Sequence, residues 1–366
     1  MIEICDPILC SGCAACANIC ARNAISMQFD KNGFFKPVID SEKCVDCKRC
    51  STNCPQNQKE LDNIDLKDIA VFISKNDKDY IHSSSGGAFN TLAKEVLNQG
   101  GVVFGCVMDQ DYNVVHLCAK NVRDAALFNG SKYTQSRIGL TYRACKKHLD
   151  QNELVLFSGL PCQIDGLLHY LGRDYSNLIT VDLVCHGVAS QKLFRGYVND
   201  VLSGSKYDSF TFRRLEKKKN TSKTYVAFEH RDYYMTPYMW SMSYGTQCYH
   251  CRYPGHKRVA DFTLMDTASG LLRDLDVEAE YGSSNIIFNT DKALKYKPIF
   301  MKSGIFKSIT PIELFKYGGG QLQKPSQGEK RSKKFYYLYR IFGIAGVKVF
   351  NKTVNALFKL KRIGKP

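Results

Sequence analysis

From residue 68 onward, apolar positions alternate between short unbroken runs and longer periodic stretches. "IAVFIS" (69–74) is a continuous apolar run of strand length. "GAFNTLAKEVLNQGG" (87–101) carries the 3–4 spacing of an amphipathic helix and stops at glycines. "VVFGCVM" and "VVHLCAK" predict a hairpin. "ELVLFSG" (153–159) predicts a strand, and "PCQIDGLLHYLG" a helix with Pro161 in its first turn. "NLITVDLVC" (177–185) reads as another buried strand. This alternation predicts an α/β or α+β domain, a mixed sheet covered by helices. Residues 57–68 ("NQKELDNIDLKD") are polar and read as a linker. The expected organisation is a small domain over 1–58, a larger one over 66–320, and a tail over 321–366.

The small domain is defined by cysteine spacing. "CSGCAACANIC" (10–20) and "CVDCKRCSTNC" (44–54) are both C-x2-C-x2-C-x3-C. This is the two-cluster bacterial ferredoxin pattern, in which the fourth Cys of each run ligates the other cluster. One 4Fe–4S cubane is assigned Cys10, Cys13, Cys16 and Cys54, the other Cys44, Cys47, Cys50 and Cys20. Three thiolates on one tight loop grip three corners, and the fourth corner must come from elsewhere. Zinc prefers pairs of Cys-x-x-Cys to runs of four. "NAISM" and "FFKPVID" suit the short strands of such a unit. Cys5 lies outside the pattern and is expected to be a free thiol.

The chain has 366 residues and sixteen cysteines. The start "MIEICDPILC" lacks a basic and an apolar segment, so no export signal is expected. Many cysteines without export point to metal ligation in a reducing cytoplasm rather than to disulfides. No 18-residue apolar run occurs, so no transmembrane helix is expected.

Four cysteines of the larger domain remain to be explained. Cys162 opens a predicted helix after a strand, and Cys185 ends the next strand. Both fall on the carboxyl edge of a predicted sheet, where α/β proteins build sites. Cys248 and Cys251 form a late Cys-x-x-Cys that could be half a zinc knot, a redox dithiol or half the ligand set of a cluster. Together the four make the number of thiolates a cubane needs; the alternative is that Cys162 and Cys185 are small core residues. Cys106, Cys118 and Cys145 fit the core reading. "HSSSGGAF" (82–89) brings serine hydroxyls and free backbone N–H groups to a helix start, an anion site or a plain N-cap. "NGSKYTQS" (129–136) is a weaker polar turn. No G-x-G-x-x-G follows a strand and no Walker loop occurs, so a Rossmann site is disfavoured.

Taken in order, "SSSGGAFNTLA", "GSKYTQS", "LFSGLPCQIDGL", "VDLVCHGVAS" and "CYHCRYPGHKRVADFTLMD" resemble the coenzyme F-420 hydrogenase/dehydrogenase β-subunit family, in the form fused to a two-cluster ferredoxin. Similar members include 7-hydroxymethyl chlorophyll a reductase and bacterial proteins associated with surface polysaccharides. The resemblance implies a non-Rossmann FAD site: Ser84, Ser85, Gly86 and Gly87 at the phosphates or ribityl chain, and Lys132, Tyr133 and Gln135 along the flavin. It implies a third 4Fe–4S cluster on Cys162, Cys185, Cys248 and Cys251. Met265, Thr267, Ala268 and Asp165 depart from the family's usual residues, so a relative's substrate transfers poorly. The expected flow runs from a ferredoxin-like donor through the clusters to FAD and on to a small-molecule or lipid-linked glycan substrate. The competing reading is a subunit that only relays electrons to a partner enzyme. His186, beside Cys185, is the candidate proton donor; its alternative role is to hydrogen-bond near the cluster. A homo-oligomer is compatible with this reading.

Residues 205–246 mix aromatics and bases, including the single Trp240. They are expected to form a β-hairpin with aromatics over the flavin and a solvated "EKKKN" turn, so no nucleic-acid partner is expected. The tail is more unusual. Residues 321–366 hold nine Lys, three Arg and one Glu, which is +11 of the chain's net +16. Phe342, Val349, Leu357 and Leu360 can share one helical face, although Gly343 and Gly346 weaken it. Such a helix suits peripheral contact with the inner face of an anionic membrane, or docking on protein.

Overall fold

The computed structural model describes residues 3–213, 223–317 and 322–361. The N-terminal unit is ferredoxin-like. β1 (Ile25–Phe29) pairs antiparallel with β2 (Phe35–Ile39), from Ile25↔Ile39 to Phe29↔Phe35. In each cysteine run the backbone enters the left-handed region twice, at Gly12 and Ala14 and again at Asp46 and Lys48. These alternations turn successive N–H groups towards one concave side, which lets a short loop wrap an anionic group. At Gly12 an added Cβ would stand 2.4 Å from Phe35 O and 2.5 Å from Gln135 Nε2, so glycine is required there for space as well as for its φ of +71°.

The larger unit is built on one eight-stranded mixed sheet. Its strands are β3 (Asp68–Ser74), β4 (Val102–Met108), β5 (Val114–Ala119), β6 (Val155–Ser158), β7 (Leu178–Leu183), β10 (Phe262–Asp266), β11 (Ser284–Phe288) and β12 (Gly304–Ser308). Their order is β12-β3-β11-β10-β7-β6-β4-β5. The central strands β10, β7, β6 and β4 run parallel. Antiparallel strands flank them on both sides.

The parallel centre explains why "LVLFS" and "LITVDL" read as unbroken apolar runs: both faces are covered. Helix Ala88–Asn98 puts Leu92, Ala93 and Val96 against Val103, Leu156 and Ile179 on one face. Helices Thr141–Asp150 and Pro161–Leu171 put Tyr142, Leu149, Ile164 and Leu167 against Val155, Phe157 and Leu178 on the other. Ala14 and Ala15 of the ferredoxin unit belong to that second core, so the two units share apolar packing.

Three expectations change. Residues 205–246 do not form a hairpin: β8 (Ser209–Thr211) and β9 (Thr224–Val226) pair parallel, with Phe210 opposite Tyr225. Short helices Ala227–His230 and Met235–Met239 follow, with Trp240 capping the second. This arrangement packs Phe210, Phe212 and Tyr225 together with Phe194 and Tyr197 of helix Gln191–Leu202, burying all five. The "EKKKN" stretch lies outside the described residues. Cys118 is exposed rather than in the core, because β5 is an edge strand; Cys145 is buried and Cys106 partly so. The tail helix, Glu329–Lys361, is not one continuous amphipathic face, since Gly343 at φ 54° and ψ −139° turns the chain sharply. Two arms result, and they fold back on each other: the rings of Phe335 and Phe350 lie 5.3 Å apart. In a straight helix fifteen residues would separate them by about 22 Å. The side chain of Leu360 lies outside the described residues.

Candidate redox site

The two N-terminal cysteine sets face different surroundings. Cys16 and Cys54 are buried, whereas Cys47 is exposed. Backbone N–H groups aim at the sulfurs, as in Ala24 N to Cys20 Sγ at 3.3 Å, which is the support a cubane's thiolates use. Cys5 is not isolated: its thiol bonds to Cys10 and Cys54, and that bond draws the Cys10 thiol down to about 6.

The carboxyl edge of the parallel strands carries the second cysteine set. Cys162 follows β6 at the start of helix Pro161–Leu171, and Cys185 follows β7. Cys248 and Cys251 arrive on the short helix Thr246–Tyr249 and the turn after it. All four line one cleft, together with His186, Gln247 and Arg258, which encloses ≈ 830 Å³ with its open mouth included. Burial, and then the neighbouring thiols, push the Cys162 thiol well up. Burial likewise takes Cys248 to about 12. Loading a metal group here must therefore expel protons.

The cleft fits such a group. Gln247 Nε2 and Arg258 Nε are buried donors without a hydrogen-bond partner among the described residues. A buried donor left unmade costs roughly 1–3 kcal/mol, and sulfides of a cluster would satisfy both. Arg258 also lies where its charge favours the thiolates of Cys185 and Cys251. Behind it, Asp182 is wholly buried and raised by that burial to about 6, with Arg258 Nη1 at 3.8 Å from its Oδ1. Among the described residues, no three His, Cys, Asp or Glu side chains converge as they would on a single metal ion. A cubane spreads its thiolates over four irons and makes no such demand.

The ferredoxin unit is locked onto this centre. A Cβ on Gly166, one turn beyond Cys162, would stand 2.9 Å from Cys13 Cβ and Sγ. Arg143 reaches across with Nε on Asn18 O at 2.8 Å, Nη1 on Asn23 Oδ1 at 2.7 Å, and Nη2 on Ala17 O at 3.1 Å and Cys20 O at 2.8 Å. Arg252, beside Cys251, bonds Pro55 O and Lys59 O. Gln135 belongs to the same seam and also lines the cleft. Its Oε1 accepts from Phe35 N at 2.7 Å and its Nε2 donates to Ser11 O at 3.1 Å.

The two polar loops meet one another: Ser131 N donates to Ser84 Oγ at 2.8 Å. Ser85 Oγ is tied to Ser283 O at 2.5 Å. Gly86 is packed, since a Cβ would lie 2.0 Å from Phe72 O and 2.6 Å from Ser284 N. Gly87 takes the left-handed φ of +83° at the helix start. Lys132 turns inward to Phe128 O at 2.9 Å and Asn129 O at 2.8 Å, and burial lowers it to about 8. Tyr133 faces Arg213, whose guanidinium lies 5.5 Å from its ring centre and 4.9 Å from that of Phe228. Arg213 Nη1 bonds Asp266 Oδ2 at 2.8 Å and Ser84 O at 3.3 Å, while its buried Nε has no partner among the described residues. An unmatched guanidinium N–H beside a serine loop fits an anionic group.

His186 lines the four-cysteine cleft and also feels Asp266 and Arg213, so it stands between the two centres. Burial lowers its pKa, opposed by Asp266. Behind the cleft, Tyr253 Oη donates to the buried Asp165 Oδ2 at 2.8 Å, and His169 Nδ1 lies 3.0 Å from Asp165 Oδ1. Sequence reasoning missed Arg213, Gln247 and Arg258. Only the quoted motif "GHKRVADF" placed one of them near a functional stretch.

Fold and site together define an iron–sulfur electron-transfer protein, a ferredoxin-like unit docked on a mixed-sheet domain. Residues 9–58 match the 4Fe–4S dicluster domain, and residues 36–86 match a second model of that domain. Residues 152–310 match the C terminus of the coenzyme F420 hydrogenase/dehydrogenase beta subunit. The chain thus carries the C-terminal domain of the coenzyme F420 hydrogenase/dehydrogenase beta subunit behind an N-terminal 4Fe–4S dicluster domain. It is similar to the coenzyme F420-dependent sulfite reductase of Methanocaldococcus jannaschii, 24% identical over 327 residues. That match covers 83% of this chain and 48% of the relative, so the chain spans about half of its length. A chain of the F420-reducing [NiFe] hydrogenase complex from Methanosarcina barkeri aligns with a TM-score of 0.46 and 14% identity, over 82% of this chain and 94% of that one. No described helix is long and apolar enough to cross a membrane.

Proposed function

We propose that the chain is an iron–sulfur flavoprotein oxidoreductase with three 4Fe–4S centres and one FAD. Cubanes pass single electrons, and a flavin collects two and delivers them as a hydride. The observation that carries the reading is the seam: Cys13 packs on Gly166, one helical turn from Cys162. That contact supports an order in which a ferredoxin-like donor meets the Cys20/Cys44/Cys47/Cys50 set, whose Cys47 is exposed. The buried Cys10/Cys13/Cys16/Cys54 set then adjoins the cleft of Cys162, Cys185, Cys248 and Cys251.

In this reading Gln247 and Arg258 balance the charge of the cleft's centre. Arg213, Ser84 and Ser131 hold an FAD phosphate, and Tyr133 lines the flavin. His186, between the two centres, moves the proton that accompanies two-electron chemistry. The substrate is a small molecule. The F420 dependence in the relative's name favours a diffusible two-electron carrier over the lipid-linked glycan suggested by the polysaccharide-associated proteins. The second reading, a relay subunit for a partner enzyme, rests on the cluster ligand sets, which can pass single electrons onward with or without a flavin.

The test is anaerobic purification with iron, flavin and ligand identification, followed by reduction of the clusters and observation of flavin bleaching. Twelve iron atoms, one FAD and bleaching without a partner support the first reading. Cluster reduction with no bound flavin leaves the relay reading standing.

A further inference from the structure

The basic tail forms a helical hairpin with one face on the protein and exposed apolar residues at its bend. The inner face is settled. Phe335, Tyr336, Val347 and Val354 are buried. Tyr336 Oη donates to Ser243 O at 2.6 Å and accepts from Ser190 N at 3.2 Å. Ser332 Oγ donates to Tyr244 O at 2.7 Å. Lys348 reaches Asp200 at 2.7 Å. The arms cross closely, since a Cβ on Gly346 would lie 2.4 Å from Leu338 O.

The outer face is different. Around the turn at Gly343, Tyr337 is 56% exposed, Ile341 52%, Phe342 59% and Val349 59%. Single exposed apolar residues need no explanation, but Ile341 and Phe342 adjoin at the bend, with Tyr337 and Val349 about 9 Å back along the two arms, and such a set does. Lys330, Lys334, Arg340 and Lys352 are also exposed on these arms. Over residues 321–366 the sequence holds twelve bases and one acid. Aromatic and aliphatic side chains at a tip, with cations set back along both arms, match an anionic lipid surface: tails below, phosphates at the level of the bases.

We propose that Ile341 and Phe342 at the bend insert into the headgroup region of an anionic membrane, with the two arms' bases on lipid phosphates, while Ile344 stays on the body beside Gly196. The docked inner face holds the hairpin ready, so little ordering is needed on binding. This does not depend on the flavin or third-cluster assignments.

The experiment is co-sedimentation of the full-length holoprotein with vesicles of phosphatidylcholine alone or with one-quarter phosphatidylglycerol. Wild type should bind only the anionic vesicles and be released as salt rises. Ile341→Ser with Phe342→Ser should weaken binding roughly ten- to hundred-fold, the loss expected for partial burial of two such side chains. Arg340→Gln should weaken it roughly five-fold at low salt. Iron content should not change in either. Phe342→Trp should bind and shift its fluorescence to the blue. Equal binding by the double serine variant, no binding by wild type at low salt, or an unshifted tryptophan overturns the proposal. So does a wild-type dimer, without vesicle binding, that the serine variant converts to monomer; the tip is then a self-association surface.

Discussion

Arg143→Met tests whether the ferredoxin unit is held in place for electron transfer or merely tethered. The guanidinium makes four hydrogen bonds into the ferredoxin unit, three of them to the carbonyls of Ala17, Asn18 and Cys20 at the end of the Ala15–Ile19 helix. Bonds to a charged group contribute about 1.5–3 kcal/mol each when fully protected. Arg143 is half-exposed, so water replaces part of the set, and the net loss is about 2–4 kcal/mol. That shifts the docked-to-undocked ratio roughly thirty- to thousand-fold. Gln135, Arg252 and the Ala14–Ala15 packing remain, so the chain still folds. Two readouts follow in anaerobic protein. Protease should cut within residues 57–67 faster in proportion to the undocked population. The magnetic interaction between the Cys10/Cys13/Cys16/Cys54 centre and the cleft's centre should weaken in reduced samples. Arg143→Lys, which keeps the charge but not the fork, should recover only part of both. Wild-type cleavage rates together with an unchanged magnetic interaction in Arg143→Met refute the seam as the element that sets the contact between centres.

Cys251→Ser should lower iron from about 12 to about 8 per chain, while the N-terminal centres remain; unchanged iron removes the third cluster. Arg258→Met should lower the reduction potential of the cleft's centre in an EPR-monitored titration, because a buried cation near an anionic cluster is lost; Arg258→Lys should restore most of it. Arg213→Gln should give flavin-free protein with unchanged iron. Gly86→Val is a poorer probe, since its Cβ would strike Phe72 O and Ser284 N and destabilise the sheet. The hydrogen bond that His169 donates to Asp165 raises the His169 pKa above its ordinary 6.5. The pair's stabilisation is therefore fully present below pH 6.5 and lost as pH rises through the raised value. Comparing unfolding midpoints of wild type and His169→Gln across that range should show the gap closing at high pH.

Much of the local structure was legible because it is written in spacing. The repeated C-x2-C-x2-C-x3-C runs imposed their 34-residue repeat on the backbone, down to paired left-handed residues at Gly12 and Asp46 and at Ala14 and Lys48. Unbroken apolar runs marked β6 and β7, and the residues just past them, Cys162 and Cys185, had to emerge at one edge of a parallel sheet. What sequence could not fix was direction between distant segments. Gln135 sits in a polar turn that suits a ligand, yet it faces Ser11 and Phe35 a hundred residues and more away. Arg213 and Arg258 carried no assigned role in the sequence, and only burial shows a donor nitrogen of each without a partner among the described residues. The aromatics at 210–225 could pair as a hairpin or in parallel, and only the position of helix Gln191–Leu202 decides which arrangement buries them. Likewise, the tail's periodicity permits a straight amphipathic helix. Gly343 allows a turn, and the pockets for Tyr336 and Val347 on the folded body make the turn the lower-energy choice. Periodicity and ligand spacing are local properties of a chain, whereas contact and desolvation belong to the tertiary structure.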